Sequence, residues 1–368
     1  MNKIRVAVAG CGNVSNAYIP NLRRCEYADV VALCDQQGRA EEQGDRHGIG
    51  PRYTDLEQML QDVPFDLFVN LTSMGSHGPL NRLALQAGKH VWSEKPLASD
   101  VESGRELIEL ARSNGVRIWG APNTLTSPAF RFMRDLVASG AIGTVYAAHG
   151  IYGHTGPDWG SWVYGPEGGS LFDLGIYNLT TLTGLLGPAK AVTAEMGTAT
   201  PIRKVEGAVV KVEADDNAVV ILQHGDAVYS VIQTGFVYGA QNEDFTIQLI
   251  GTKGAIALGG YDWDPSNVQV YRSETQRWER HLERSGTRSE AGGATQPDAL
   301  VTASRVDASG YAWQGGASYV VECLATGAEP VIQAEHALHV MDVIEQAKRS
   351  AESGRRRTVS STFRWPIP

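Results

Sequence analysis

The first third of the chain alternates short apolar, β-branched runs with stretches whose apolar residues recur every three to four positions. IRVAVAG (4–10), VVALCD (30–35), FDLFVNLT (65–72), HVWSEK (90–95) and RIWGAPN (117–123) read as five strands. Between them lie helices; Leu80, Leu83, Ala84 and Ala87 share one helical face, and Gly88 closes that helix. Strands alternating with helices predict a doubly wound parallel sheet, an α/β Rossmann domain over residues 1–123.

After Asn123 the rhythm changes to longer alternating runs: AVVKVE (208–213), NAVVILQHG (217–225), AVYSVIQTG (227–235) and DFTIQLIGTKGAIAL (244–258). A helix follows over 334–353, with Ala337, Leu338, Val340, Met341, Ile344 and Ala347 on its apolar side. The expectation for 124–368 is therefore an α+β domain with a large open, mainly antiparallel or mixed sheet. The stretch 283–314, rich in Ser, Gly, Thr and Ala, has little periodicity and reads as a loop, either an ordered functional one or a mobile one. No internal repeat is present.

Length and composition agree with this picture. The 368 residues suit two domains, and 42% hydrophobic with 20% charged residues is a globular balance. A net charge of -9 without any basic stripe excludes nucleic acid as the expected partner. Cys11, Cys25, Cys34 and Cys323 show neither metal-ligand nor disulfide-framework spacing, so reduced thiols and no bound metal are expected. Met1–Lys3 run straight into the first strand and no apolar run reaches membrane-spanning length. These readings place the protein in the cytoplasm, away from a membrane.

The chemistry starts at Gly10-Cys11-Gly12-Asn13-Val14-Ser15, directly after the first strand and opening a helix, the setting of a dinucleotide fingerprint. Gly10 allows the tight turn, Gly12 lets backbone approach a pyrophosphate, and Asn13 and Val14 lead into the helix N-terminus. Ser15 replaces the usual third glycine. Asp35, 20 residues after Ser15, ends the second strand where a carboxylate accepts from ribose hydroxyls and repels a 2′-phosphate. With Gln36 and Gln37 following, NAD is favoured over NADP. Thr72, Ser73 and His77 after the third strand, Glu94 and Lys95 after the fourth, and Asn123 after the fifth all lie at carboxyl ends of strands, where such sheets bind ligands. Pro96 restricts Lys95 to extended backbone, aiming it out of the strand. A solvated lysine and a loop or capping histidine are the plain alternatives.

Together, AGCGNVS, the acidic end of the second strand, TSMGSH, AGKHVWSEKPLA and the later GGSLFDLGIYNL resemble the Gfo/Idh/MocA oxidoreductase family across both domains. The resemblance implies a C-terminal domain whose open sheet walls the substrate site and serves as an interface, giving a homodimer or homotetramer. It implies that Lys95 contacts nicotinamide and substrate, that Asp173 binds substrate, and that the residue four positions later is the acid/base. That residue is Tyr177 here rather than histidine, as in the branch resembling glucose-fructose oxidoreductase and dihydrodiol dehydrogenase. Four residues apart on a helix, Asp173 and Tyr177 share a face. A phenol of ordinary pKa near 10 needs a neighbouring cation such as Lys95 to serve as a base at neutral pH. The plainer reading makes Ser170-x-x-Asp173 a capping box and Tyr177 a core residue with a wet hydroxyl.

Residues 149–189 contain no Lys or Arg but do contain Tyr152, His154, Asp158, Trp159, Trp162 and Tyr164. Aromatic faces with polar tips suit an uncharged polyol, although core packing is the alternative for both tryptophans. Arg131, Arg203 or Lys204 are the cations that could change that charge balance. The leading expectation is an NAD(P)-dependent oxidoreductase acting on CH–OH groups of a sugar, polyol or glycoside. The alternatives are a redox-neutral, NAD-dependent glycosidase working by oxidation, elimination, hydration and reduction, and a noncatalytic nicotinamide-binding sensor.

Overall fold

The computed structural model describes residues 3–239, 245–281 and 311–368, so most of the 283–314 stretch lies outside the described residues. In chain order the elements are β1 (Ile4–Ala9), α1 (Ser15–Arg24), β2 (Ala28–Cys34), α2 (Arg39–His47), β3 (Arg52–Tyr53), α3 (Leu56–Asp62), β4 (Leu67–Asn70), α4 (Met74–Gln86), β5 (His90–Ser93), α5 (Val101–Ser113) and β6 (Ile118–Gly120). They continue with α6 (Pro128–Ala138), β7 (Val145–Gly153), α7 (Ile176–Leu186), β8 (Ala191–Gly197), β9 (Ile202–Val205), β10 (Ala208–Lys211), β11 (Asn217–Gly225) and β12 (Val228–Gly235). The last are β13 (Ile247–Gly251), β14 (Gly254–Tyr261), β15 (Asp264–Arg272), β16 (Arg277–Arg280), α8 (Gly316–Thr326), α9 (Ala334–Ser353) and β17 (Arg357–Thr358).

These elements form two compact units, Met1–Asn123 with Ala312–Met341, and Thr124–Tyr311 with Asp342–Pro368. The first holds a six-stranded sheet in the order β3-β2-β1-β4-β5-β6, parallel throughout. Its sixth strand, β3, is only two residues long, too short to leave a pattern in the sequence. Alternation along β1 sorts its side chains: Val6 and Val8 pack on one face with Tyr18, Leu22 and Trp92, and Ala7 and Ala9 on the other with Met59, Phe68 and Leu107. α8 joins the first of these faces through Ala317, Val320 and Val321, all fully buried. That burial draws 312–341 into the Rossmann unit, so residues 124–368 do not all lie in the second unit.

The second unit holds a nine-stranded mixed sheet, β16-β15-β14-β13-β7-β12-β11-β8-β17, in which only β7 and β12 pair in parallel. The AVVKVE run forms β10 of a separate two-stranded sheet with β9. Along β11, Ala218, Val220 and Leu222 are buried while Ile221 is 44% exposed, the alternation of a sheet with one covered face. α7 lies against the covered face, close enough that a Cβ on Gly150 of β7 would stand 3.0 Å from Asn178. Among the described residues, no helix is long and apolar enough to cross a membrane.

Candidate functional site

In the first unit the predicted residues gather at the carboxyl ends of the parallel strands. Gly10 leaves β1 with φ +88°, and a Cβ there would lie 2.4 Å from the carbonyl carbon and oxygen of Leu71. Only glycine fits that turn. Gly12 and Val14 are half-buried and Asn13 is exposed. Ser15 is fully buried with its hydroxyl donating to the Gly12 carbonyl at 2.6 Å, so a small side chain does serve in the third-glycine position. Asp35 follows β2; its Oδ2 accepts from the Cys11 N–H at 2.9 Å and its Oδ1 from the Gln37 N–H at 2.8 Å. A backbone turn stripped of side chains, opening a helix beside a half-buried carboxylate, fits a dinucleotide's pyrophosphate and ribose.

A buried polar network ties β4 to β5. The Asn70 amide nitrogen donates to Asn81 Oδ1 at 2.9 Å, and Asn81 donates to Ser93 Oγ and the Leu97 carbonyl, both at 3.0 Å. Asn70 Oδ1 in turn accepts from Thr72 Oγ1 at 2.6 Å, whereas exposed Ser73 pairs with Ser76 at 3.3 Å. His77 is 1% exposed, with Nδ1 at 2.7 Å from the Pro96 carbonyl and Nε2 at 2.9 Å from the Thr72 carbonyl. Burial lowers its pKa, against those two carbonyls. The neutral ring has one N–H to donate to one of these carbonyls and lies against the other, so buried His77 braces the two loops rather than presenting a polar atom to a ligand.

Lys95 is half-buried after β5. Its N–H donates to Glu94 Oε2 at 3.0 Å, while Glu94 Oε1 accepts from buried Tyr18 at 2.7 Å, and Tyr18 accepts from Trp92 Nε1 at 3.2 Å. Asn123, 2% exposed, donates to the Ala312 carbonyl at 3.1 Å. Tyr18 and Asn81 escaped sequence reasoning because each reads as an ordinary residue of its helix, and their partners lie 76 and 12 positions away.

In the second unit, Asp173 stands in a π-helical turn, Leu171–Gly175, that runs into α7, where Tyr177 occupies the second position. Such turns recur at functional sites. Ser170 does not cap this helix: its hydroxyl donates to Asp215 Oδ2 at 2.7 Å, and the same oxygen accepts from the Leu171 N–H at 3.0 Å. The capping-box expectation fails because a carboxylate from 45 positions away supplies the acceptor. Gly169 makes room for it, since a Cβ at its φ of +108° would fall 2.1 Å from Asp215 Oδ1.

Around Tyr177 lies a cluster of rings. Tyr152 packs edge-on at 6.2 Å, Trp263 lies 6.2 Å from Tyr177, and Tyr261 lies 4.9 Å from Tyr152. Tyr261 and Trp263 stack at 5.1 Å with planes 3° apart. Neither was anticipated; Tyr261 ends β14 and Trp263 lies in the two-residue turn that follows, whose place beside α7 leaves no local signature. Burial raises the Tyr152 pKa, and the Asp173 charge adds to that effect. His154 accepts from the Gly156 N–H through Nδ1 at 2.9 Å; burial lowers its pKa, with Asp173 opposing. Arg203 is committed elsewhere, donating to the Thr155 and Phe236 carbonyls at 2.7 and 2.8 Å and to buried Asp216 at 3.2 Å. Arg131 and Lys204 are exposed. Asp158 is exposed, and Trp159 and Trp162, 51% and 46% exposed, form their own edge-on pair at 5.9 Å, so neither tryptophan is a core residue.

Comparison with known proteins agrees with both halves. A family model described as an oxidoreductase family with an NAD-binding Rossmann fold matches residues 4–121, and one described as the GFO/IDH/MocA C-terminal domain matches residues 130–257. The chain is 28% identical over 276 residues to trans-1,2-dihydrobenzene-1,2-diol dehydrogenase of Bos taurus, covering 73% of this chain and 77% of that protein. It is also 28% identical over 247 residues to 1,5-anhydro-D-fructose reductase of Ensifer adhaerens, covering 64% and 74%. The crystal structure of aldose-aldose oxidoreductase from Caulobacter crescentus complexed with glycerol shares the fold, with a TM-score of 0.79 at 22% identity over 97% of this chain and 100% of that one.

Proposed function

The chain belongs to the Gfo/Idh/MocA oxidoreductase family, and from that premise we propose that it transfers a hydride between NAD and a secondary hydroxyl or ketone of an uncharged sugar, polyol or glycoside. One observation carries the reading: Asp173 and Tyr177 stand among aromatic rings while Arg203, the guanidinium whose charge reaches His154, is held by Asp216. Rings cover the C–H faces of a sugar, and a carboxylate with a phenol serves its hydroxyls. The names of the relatives, a cyclic-diol dehydrogenase and an anhydrosugar reductase, support the same chemistry.

When bound, NAD supplies the carbon that accepts or returns hydride. Tyr177 takes the hydroxyl proton during oxidation and returns it during reduction. Lys95 holds and polarises that oxygen, and Asp173 accepts from a neighbouring hydroxyl. Tyr152 and His154 line the sugar, with Asp158, Trp159 and Trp162 as an outer contact. Asp35 selects NAD over NADP by repelling a 2′-phosphate. The enzyme works as a homodimer or homotetramer joined through the outward face of its nine-stranded sheet, a role supported by Ile221 and Tyr229, 44% and 48% exposed on paired strands.

The test mixes purified protein with NAD and a panel of sugars, polyols and glycosides, following nicotinamide absorbance and released aglycone in the same samples. Continuous NADH formation with one of them supports the reading. Aglycone release without net NADH would overturn it in favour of a redox-neutral glycosidase, and silence with the whole panel leaves the sensor.

A further inference from the structure

The turn between β14 and β15 consists of Asp262 and Trp263. Asp262 is 2% exposed, an unusual place for a turn carboxylate. Its Oδ2 accepts from Asn178 Nδ2 at 3.1 Å and from Thr181 Oγ1 at 3.0 Å. These donors are three residues apart on α7 and hence on one face, and both are buried. Among the described residues, Oδ1 of Asp262 and Oδ1 of Asn178 have no hydrogen-bond partner.

A carboxyl buried among neutral donors alone is poorly compensated for its lost hydration. Burial accordingly pushes it up to about 6, against the bonds from Asn178 and Thr181 and from the backbone N–H groups of Asp262 and Trp263. The titratable groups that feel its charge, Tyr152 and Tyr311, are phenols whose own pKa burial raises. Close packing alone would be served better by an apolar residue. What the carboxyl adds is a directional tie to α7.

That tie joins the two parts of the ring cluster. Tyr261 and Trp263 stand on either side of Asp262 and stack on each other, and Asn178 immediately follows Tyr177. We propose that Asp262 is a positioning residue: by accepting from Asn178 and Thr181 it fixes the Tyr261–Trp263 wall against the helix carrying Tyr177, and so sets the space in which a sugar ring is held. This rests on the functional reading above for the sugar, but not for the tie itself. Asparagine at 262 can accept the same two bonds and donate to Asn178 Oδ1, whereas alanine can do neither.

The test compares full-length wild type with Asp262→Asn, Asp262→Ala and the near-isosteric Thr181→Val, which guards against a misfolded alanine variant. Two quantities are measured: steady-state rates with the sugar found by the panel, and the 19F spectrum of 5-fluorotryptophan-labelled protein, the Trp263 resonance being assigned by Trp263→Phe. Asp262→Ala is expected to lower kcat/KM by about tenfold or more, since small misplacements at a reacting site are costly. The loss should fall on KM as well as kcat, with NAD affinity kept. Asp262→Asn should stay within about threefold and leave Trp263 in place, and Thr181→Val should fall between. An unmoved Trp263 resonance in Asp262→Ala, or in Thr181→Val if alanine does not fold, overturns the proposal whatever the rates. So does an asparagine variant as impaired as the alanine one. If wild type turns over no sugar, the functional reading fails and the Trp263 resonance alone decides the tie.

Discussion

At the scale of single residues, Gly10 makes a strict demand, because a Cβ would strike backbone that cannot swing aside. Gly10→Ala is expected to abolish NADH binding, read by fluorescence titration, and to cost more than about 2 kcal/mol by urea unfolding. Lys95→Ala and Tyr177→Phe should behave differently: the fold and NAD affinity persist while kcat falls by about a hundredfold or more, the span of lost general acid–base help. Undiminished turnover in Tyr177→Phe would remove the phenol from the mechanism. Residues of this kind are legible because their neighbours in sequence announce them, as Gly12 does for Gly10 and Pro96 for Lys95. Tyr18, Asn81 and Asp262 are not, since each acquires meaning only from partners that folding brings to it.

Elements show the same division. The helix at 334–353 was expected at the bounds it has, because a long amphipathic period is a local property. The start of α7 was not. Its preceding π-helical turn depends on Asp215, whose Oδ2 takes both the Ser170 hydroxyl and the Leu171 N–H. Removing that acceptor should leave the Leu171 N–H without its partner and the Ser170 hydroxyl with only the Thr234 carbonyl at 3.4 Å. Asp215→Ala is therefore expected to lose about 1–3 kcal/mol in thermal or urea unfolding. Activity should fall further than in an equally destabilised variant remote from α7, because Asp173 sits in the same turn. Equal loss in both would mean that the turn only supports the fold.

For the whole molecule, buried histidines govern the response to acid. His224, held between the Gly187 carbonyl and Ser230 Oγ, is lowered by burial to about 4, and His336 to about 3, from an ordinary 6.5. Below 6.5 the unfolded chain takes protons that the folded one refuses, so the stability these groups supply is lost as pH falls from 6.5 toward 4. Asp262 works the other way: raised to about 6 from 3.8, it holds a proton in the folded state that the unfolded chain lacks between those values, and so adds stability as pH falls through them. These losses outweigh the single gain, and His77 and His154, whose pKa burial also lowers, add to them. Urea unfolding at pH 4.5 should show a net loss of at least about 3 kcal/mol relative to pH 7, and Asp262→Asn should deepen it. Association is a separate matter. Replacing Ile221 and Tyr229 together by lysine should convert an oligomer to a monomer in sedimentation, and a monomeric wild type would refute assembly through the sheet.

The packing of α8 on the first sheet bears on how the protein is made. A ribosome delivers Met1–Asn123 before α8, so the apolar face holding Val6, Val8 and Trp92 receives Ala317, Val320 and Val321 only after the strands of the second unit have been synthesised. Until then the nascent Rossmann unit carries an uncovered oily surface, and a fragment cut at residue 123 would carry it permanently. The part of the protein that is begun first is among the last to be finished. The sheet that carries the glycine-rich turn is therefore fully covered only once α8 has been made.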